Sequence, residues 1–219
     1  MHDASATLRV IYRRLLGAFG PQGWWPADSA FEMMVGAILT QATNWRNVEQ
    51  AIARLKRTRL LQPRRIAAAS RRTLAQAIRP AGYFRQKAGR LAGFARWYLA
   101  RYGGRPARMF RTPWPRLRQE LLALNGIGPE TADSMLLYAG RKPVFVVDAY
   151  TARVFRRHRL VSARATYDDA QQLVMQEGPP PATYNEYHAL LVAVGKRFCH
   201  RRRPECRRCP LGDLPHTMR

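Results

Sequence analysis

The sequence predicts an all-α protein, and three observations carry that prediction. Apolar residues recur at intervals of three and four along most of the 219 residues. Gly, Pro and polar breaks separate the periodic stretches. The β-branched run Val144-Phe145-Val146-Val147 is too short and too isolated to build a sheet, and reads as a buried extended connector. In chain order, residues 4–18 place Leu8, Ile11, Tyr12, Leu15 and Leu16 at helical spacing. Residues 29–40 open on Ser29, an N-cap residue type, and carry Phe31, Met34, Val35, Ile38 and Leu39 on one face. Helices are expected next at 47–60, 63–69, 71–78, 84–102, 114–124 and 129–139. They are separated by Gln62-Pro63, Pro80-Ala81-Gly82, Gly103-Gly104 and Asn125-Gly126. Beyond the connector lie helices at 148–157, 166–176 and 183–197, with Gly178–Pro181 as a loop. The tail after Cys199 is too rich in Arg and Pro to fold without a staple.

Lys and Arg number 38 against 14 Asp and Glu, a formal net charge of +24, nearly all of it arginine. A chain this basic meets a polyanion, because covering phosphates releases counterions and drives binding. The competing reading is a solvated, arginine-rich surface. Hydrophobic residues make up 47%, which excludes wholesale disorder. No stretch approaches the roughly 18 apolar residues of a membrane span, so no membrane partner is expected. The N-terminal stretch has Arg13 and Arg14 inside its apolar run and reads as an amphipathic helix instead of a secretion signal. The expected location is the cytoplasm, at the nucleoid if the source is bacterial. Three cysteines crowd into residues 199–209. An odd number in a reducing compartment favours a metal or cluster site over disulfides.

The strongest motif runs from Leu121 to Ala132. An amphipathic helix ends at Gly126-Ile127-Gly128, and a second begins near Pro129. Two glycines let the backbone approach a phosphate closely, and the helix start offers N–H donors. By itself the turn would be an ordinary helix-turn-helix corner. Sixteen residues past Ala132 stands Asp148, after four apolar residues and at the start of a helix. Its bland role is an N-cap; its functional role is a carboxylate presented to a cleft.

Leu39-Thr40-Gln41, the Gly126–Gly128 hairpin, Val147-Asp148 and the cysteine tail together resemble the endonuclease III superfamily of helix-hairpin-helix DNA glycosylases, over nearly the whole chain. The resemblance implies a two-domain helix-hairpin-helix glycosylase fold. One six-helix domain spans 28–137; a second helical domain joins 1–27 to 138–219 and carries a cysteine loop at 199–216. It further implies a monomer acting on double-stranded DNA that contains a damaged base. Asp148 would be the catalytic carboxylate, stabilising the positive charge that builds on the sugar as the glycosidic bond breaks. Gly126, Ile127, Gly128 and Thr131 would contact DNA, and Gln41 would fill the gap left by the flipped base. Strand-cutting relatives carry a lysine where Glu130 stands. A carboxylate cannot form a Schiff base, so AP lyase activity is expected to be weak or absent.

Trp24-Trp25-Pro26, Trp45, Gly36–Gln41 and Pro129–Ser134 resemble the 3-methyladenine DNA glycosylase III branch. That implies a substrate pocket of Trp24, Trp25, Pro26 and Trp45, with Glu130 at its mouth. Each tryptophan alone reads more readily as a core aromatic than as a pocket wall. An N-alkylated purine is cationic and already a good leaving group. Aromatic faces hold such a cation by about 1–2 kcal/mol per desolvated contact. The expected function is therefore a monofunctional glycosylase that releases N-alkylated purines such as 3-methyladenine in base excision repair. Two readings compete: a pyrimidine-damage or mismatch glycosylase, and a non-catalytic binder of distorted DNA.

The spacing Cys199-x6-Cys206-x2-Cys209 resembles the family's iron–sulfur loop, which implies a [4Fe–4S] cluster. The family's fourth cysteine falls on Pro215, which cannot ligate; the next residue, His216, is the candidate replacement, and an exogenous ligand is the other way to complete the site. Zinc on three Cys and one His, or no metal, are the alternatives. Arg201, Arg202 and Arg203 are expected to face phosphates.

Overall fold

The computed structural model describes residues 4–176 and 178–217, and among these there is no strand. In chain order the helices are α1 (Ala4–Phe19), α2 (Ala30–Thr40), α3 (Trp45–Arg57), α4 (Pro63–Ala68), α5 (Arg71–Ala77), α6 (Phe84–Tyr102), α7 (Pro106–Met109), α8 (Trp114–Leu122), α9 (Pro129–Ser134), α10 (Ala149–Arg157), α11 (Tyr167–Met175) and α12 (Pro181–Arg197). Side-chain caps fix several starts. Ser29 accepts from the Glu32 amide, Asn44 from Asn47 and Ser70 from Thr73. Thr166 and Asp169 close a reciprocal capping box on α11.

The chain forms two compact units, Trp25–Lys142 and Met1–Trp24 with Pro143–Arg219. In the first unit, α2 is buried from Phe31 to Leu39, so it is the central helix and is apolar almost all round. Phe31, Phe94 and Tyr98 stack face to face behind it, at centroid separations of 5.7–6.4 Å. Glu32 is buried on α2 because Lys56 reaches it at 2.7 Å. In the second unit, Leu8, Ile11 and Leu15 of α1 supply one apolar face, and α12 is buried from Tyr187 to Val192. Gly195 lets α12 pack tightly on α10, since a Cβ there would sit 2.5 Å from the Tyr150 ring.

The unit boundaries differ from 28 and 137. Trp25 packs on Trp45 and Tyr138, which draws 25–27 and 138–142 into the first unit. Helix α3 starts at the Asn44 cap and stops at Arg57, short of the expected 60. There Arg59 takes a positive φ, and the amides of Leu60 and Leu61 turn back to the Leu55 carbonyl. Helix α7 is a single turn that the periodicity missed. Val144–Val147 are buried and belong to neither helix nor strand.

Candidate active site

The connector Val144–Val147 delivers Asp148 to the start of α10. Asp148 is the N-cap, and its Oδ1 accepts from the Thr151 amide at 2.7 Å. That bond fixes the carboxylate plane and leaves Oδ2 pointing elsewhere, 3.7 Å from Nε2 of His188 on α12. His188 is 4% exposed. Burial lowers its pKa, with the Asp148 charge pulling the other way, which favours a neutral imidazole. Trp24 stacks on the imidazole at 5.8 Å and 9°, and Phe145 meets it edge-on. The Lys196 ammonium lies 5.8 Å from the Trp24 ring. The carboxylate thus sits at a helix start beside an aromatic-clamped histidine, placed to stabilise positive charge.

In the other unit, α8 and α9 form the hairpin. Gly126 has φ +81°, a backbone that favours glycine, and Gly128 caps α9 with open space where a side chain would stand. Gln41, just past α2, donates through Nε2 to the Gly126 carbonyl and to Thr131 Oγ1, both at 2.9 Å. Its Oε1 accepts from Arg90 of α6. Lys87, one turn earlier on α6, is buried and donates to the carbonyls of Leu39 and Ala81 at 2.9 and 2.7 Å. Burial brings its pKa down to about 8, helped by the Arg90 charge. Arg118 and the fully buried Asp133 make a bidentate pair, at 2.7 and 3.1 Å, that joins α8 to α9.

Trp25, Pro26 and Trp45 line one cavity of about 220 Å³ with Glu32, Glu49 and Lys56. The two indoles meet edge to face at 4.9 Å and 90°. The volume is below the roughly 300–1,000 Å³ of drug-sized sites and suits a single ring system. Lys56 bridges Asp28 and Glu32, whose hydrogen bonds raise its pKa.

After α12, Cys199, Cys206, Cys209 and His216 line a common narrow cavity, and none of the cysteines is in a disulfide. Arg157 donates to Cys199 Sγ at 3.1 Å and to the Arg201 carbonyl; Arg153 donates to the Cys199 carbonyl at 2.7 Å. Burial raises the Cys209 thiol, as does its proximity to the other two. A Cβ on Gly212 would lie 1.9 Å from the Cys206 carbonyl, so the loop can wrap this closely only with glycine there. His216 Nδ1 lies 2.8 Å from the Leu214 carbonyl, which places the proton on Nδ1 and the lone pair on Nε2.

A single zinc ion would need its thiolates within about 3.8 Å of one another. Among the described residues, no three His, Cys, Asp or Glu side chains gather that way for one ion. A four-iron cluster takes each ligand on a separate iron and spreads them further apart. Three thiols and one imidazole around a shared cavity are a donor set that either a cluster or a zinc ion accepts.

Residues 35–180 match the family model for HhH-GPD superfamily base excision DNA repair proteins. The chain belongs to that superfamily. It is 44% identical over 207 residues to a Methanocaldococcus jannaschii protein provisionally named a DNA repair glycosylase, covering 93% of each chain. Among solved structures, the Helicobacter pylori 3-methyladenine DNA glycosylase MagIII, bound to 1,N6-ethenoadenine, aligns with a TM-score of 0.76 at 28% identity. It covers 89% of this chain and 98% of the other. Endonuclease III in a non-covalent complex with DNA aligns at 0.83 and 22% identity, over 98% and 96% of the two chains, and shares the fold. The family gives the coarse activity, that of a DNA glycosylase of base excision repair.

Against this HhH-GPD frame the expected site residues divide. Trp25, Pro26 and Trp45 come together, whereas Trp24 stacks on His188 instead of lining that cavity. Glu130 lies on the exposed first turn of α9 and does not line the Trp25–Trp45 cavity; the buried side of that helix starts at Thr131. Ile127 and Thr131, expected to contact DNA, are buried at 5% and 6% exposure. Ile127 anchors the hairpin in the core, and Thr131 holds Gln41. Arg201, Arg202 and Arg203 are exposed. Three residues escaped the sequence reading. His188 stands in no recognisable motif, and Arg90 is one arginine among many. Tyr83 is 65% exposed at φ +42°, beside a concave surface lined by Arg71, Arg72, Arg79 and Arg85. Its signal was Gly82-Tyr83, an aromatic in a glycine turn between arginines.

Proposed function

We propose that the protein is a monofunctional DNA glycosylase that removes N-alkylated purines such as 3-methyladenine from duplex DNA. The observation that carries this is Asp148, fixed by the Thr151 amide and set beside the buried His188. As the bond from sugar to base breaks, positive charge develops on the sugar and Asp148 stabilises it. A cationic base leaves without a general acid, so no second carboxylate is required. The cavity of Trp25, Trp45 and Glu49, in which Glu32 is paired with Lys56, supports a cationic ring as its occupant through the two indoles and Glu49. The hairpin glycines and the exposed Arg201–Arg203 supply contacts to the DNA backbone, and Tyr83 offers an exposed ring for stacking on bases.

Weak or absent strand cleavage follows from the lysines. Glu130 occupies the position where strand-cutting relatives have one, and Lys87, the lysine with a lowered pKa, is buried with its ammonium on two carbonyls. Cys199, Cys206, Cys209 and His216 would hold a [4Fe–4S] cluster. Such a cluster would bind the tail together and present its arginines, taking no part in bond cleavage.

The test is base release from methylated duplex DNA, with wild type and Asp148→Asn compared. Release of 3-methyladenine by wild type, reduced at least about a hundredfold in Asp148→Asn, is the expected result. Release of uracil or mismatched thymine instead would replace the alkylpurine reading. Binding without any release would leave a recogniser of distorted DNA.

A further inference from the structure

We infer that Arg90 is a positioning residue that sets Gln41 for lesion recognition and couples it to the hairpin; this rests on the reading that Gln41 fills the gap left by a flipped base. The Gln41 amide is committed on both sides: its nitrogen donates to the Gly126 carbonyl and Thr131 Oγ1, and its oxygen accepts from Arg90. Those partners settle which way the amide faces, since a carbonyl can only accept and a guanidinium can only donate. Arg90 also occupies the space beside the turn. A Cβ built on Gly126 would meet Arg90 Nε at 2.3 Å, Cδ at 2.5 Å and Cγ at 2.7 Å. One side chain therefore braces the Gly126 turn and orients the glutamine, linking the end of α2, helix α6 and the hairpin. Lys87 pins the Leu39 carbonyl two residues before Gln41, so the glutamine's backbone is anchored from the same helix.

Arg90 acts through Gln41 and not on the base. Removing it should cost selectivity and leave general DNA affinity in place. The experiment measures dissociation constants for a duplex with a tetrahydrofuran abasic-site analogue and for the same duplex undamaged. The proteins are wild type, Arg90→Met, Arg90→Lys, Gln41→Ala and the Gln41→Ala/Arg90→Met double variant. Arg90→Met should lower the preference for the abasic duplex about tenfold, the size of one hydrogen bond to a charged group. Arg90→Lys should fall between the two, keeping the charge and losing the planar fork. In the Gln41→Ala background the Arg90 substitution should have no further effect on preference. An equal loss on both duplexes, with a shallower salt dependence, would make Arg90 a phosphate contact and overturn the proposal. So would an unchanged preference in Arg90→Met and Arg90→Lys, or an undiminished effect in the double variant. If Gln41→Ala alone keeps full preference, the gap-filling reading itself fails. Should Arg90→Met not fold, Arg90→Lys and its double variant with Gln41→Ala carry the same comparison.

Discussion

The hairpin between α8 and α9 and the loop after α12 are both short, polar-flanked segments, but they are secured by different means. The hairpin is held by its own packing. Ile127, Thr131, Ala132 and Asp133 are buried, Arg118 pairs with Asp133, and Gln41 and Arg90 close the turn from outside. The cysteine loop has little to bury. From 199 to 217, Cys199 and Leu211 are its buried residues, and five arginines, Arg201, Arg202, Arg203, Arg207 and Arg208, are exposed. Its ties run instead to Arg153 and Arg157 of α10. A segment with so small a core needs a staple, whereas the hairpin can be rigid from side chains alone.

The sharpest way to break that contrast is Arg118→Met. It removes the bidentate partner of a fully buried carboxylate and should cost about 3–5 kcal/mol in denaturant unfolding; a loss below about 1 kcal/mol would mean that other groups hold Asp133. A smaller effect concerns the Lys87 anchor next to the hairpin. Its folded pKa of about 8 lies below the usual 10.5. Between those values the unfolded chain holds the proton and the folded chain does not. The stability this group contributes therefore grows as pH rises through the window and is lost as pH falls towards 8. Wild type should gain on Lys87→Met by up to about 3 kcal/mol from pH 8 to 10. Parallel pH profiles of the two proteins would remove Lys87 as the cause. The smallest effect on unfolding belongs to the loop. His216→Ala should lower iron per chain after anaerobic reconstitution and increase protease cutting after Cys199, while shifting the unfolding of the Trp25–Lys142 unit by less than about 0.5 kcal/mol. Iron content equal to wild type would exclude His216 as a ligand, and no iron in wild type would exclude the cluster.

Much of the fold was legible because helices announce themselves by period and punctuation. Ser29 opens α2 as a cap, Pro63 and Pro129 stand at first helical positions, and Val144–Val147 were readable as a buried connector. The end of α3 was misplaced because Leu60 and Leu61 continue the apolar pattern, although the chain has already turned left-handed at Arg59. Asp148 was legible as a helix cap and the glycines at 126 and 128 as a turn. Arg90 was not, since its significance lies in Gly126 and Gln41, dozens of residues away along the chain, and no local signal separates it from the other arginines. Trp24 stands apart from the Trp25–Trp45 cavity for a related reason. Adjacent residues in sequence, Trp24 and Trp25, join different units, and pattern alone does not say where that division falls.

The Gly126 turn also constrains how this protein can vary over time. Asn or Asp tolerates a left-handed backbone, so either would be the natural substitute at position 126. Yet any side chain there collides with Arg90. A replacement at 126 would push the Arg90 side chain aside and break its bond to Gln41 unless position 90 had first shortened. The two positions form an epistatic pair with a preferred order of change, and in related sequences a non-glycine residue at 126 should travel with a small residue at 90.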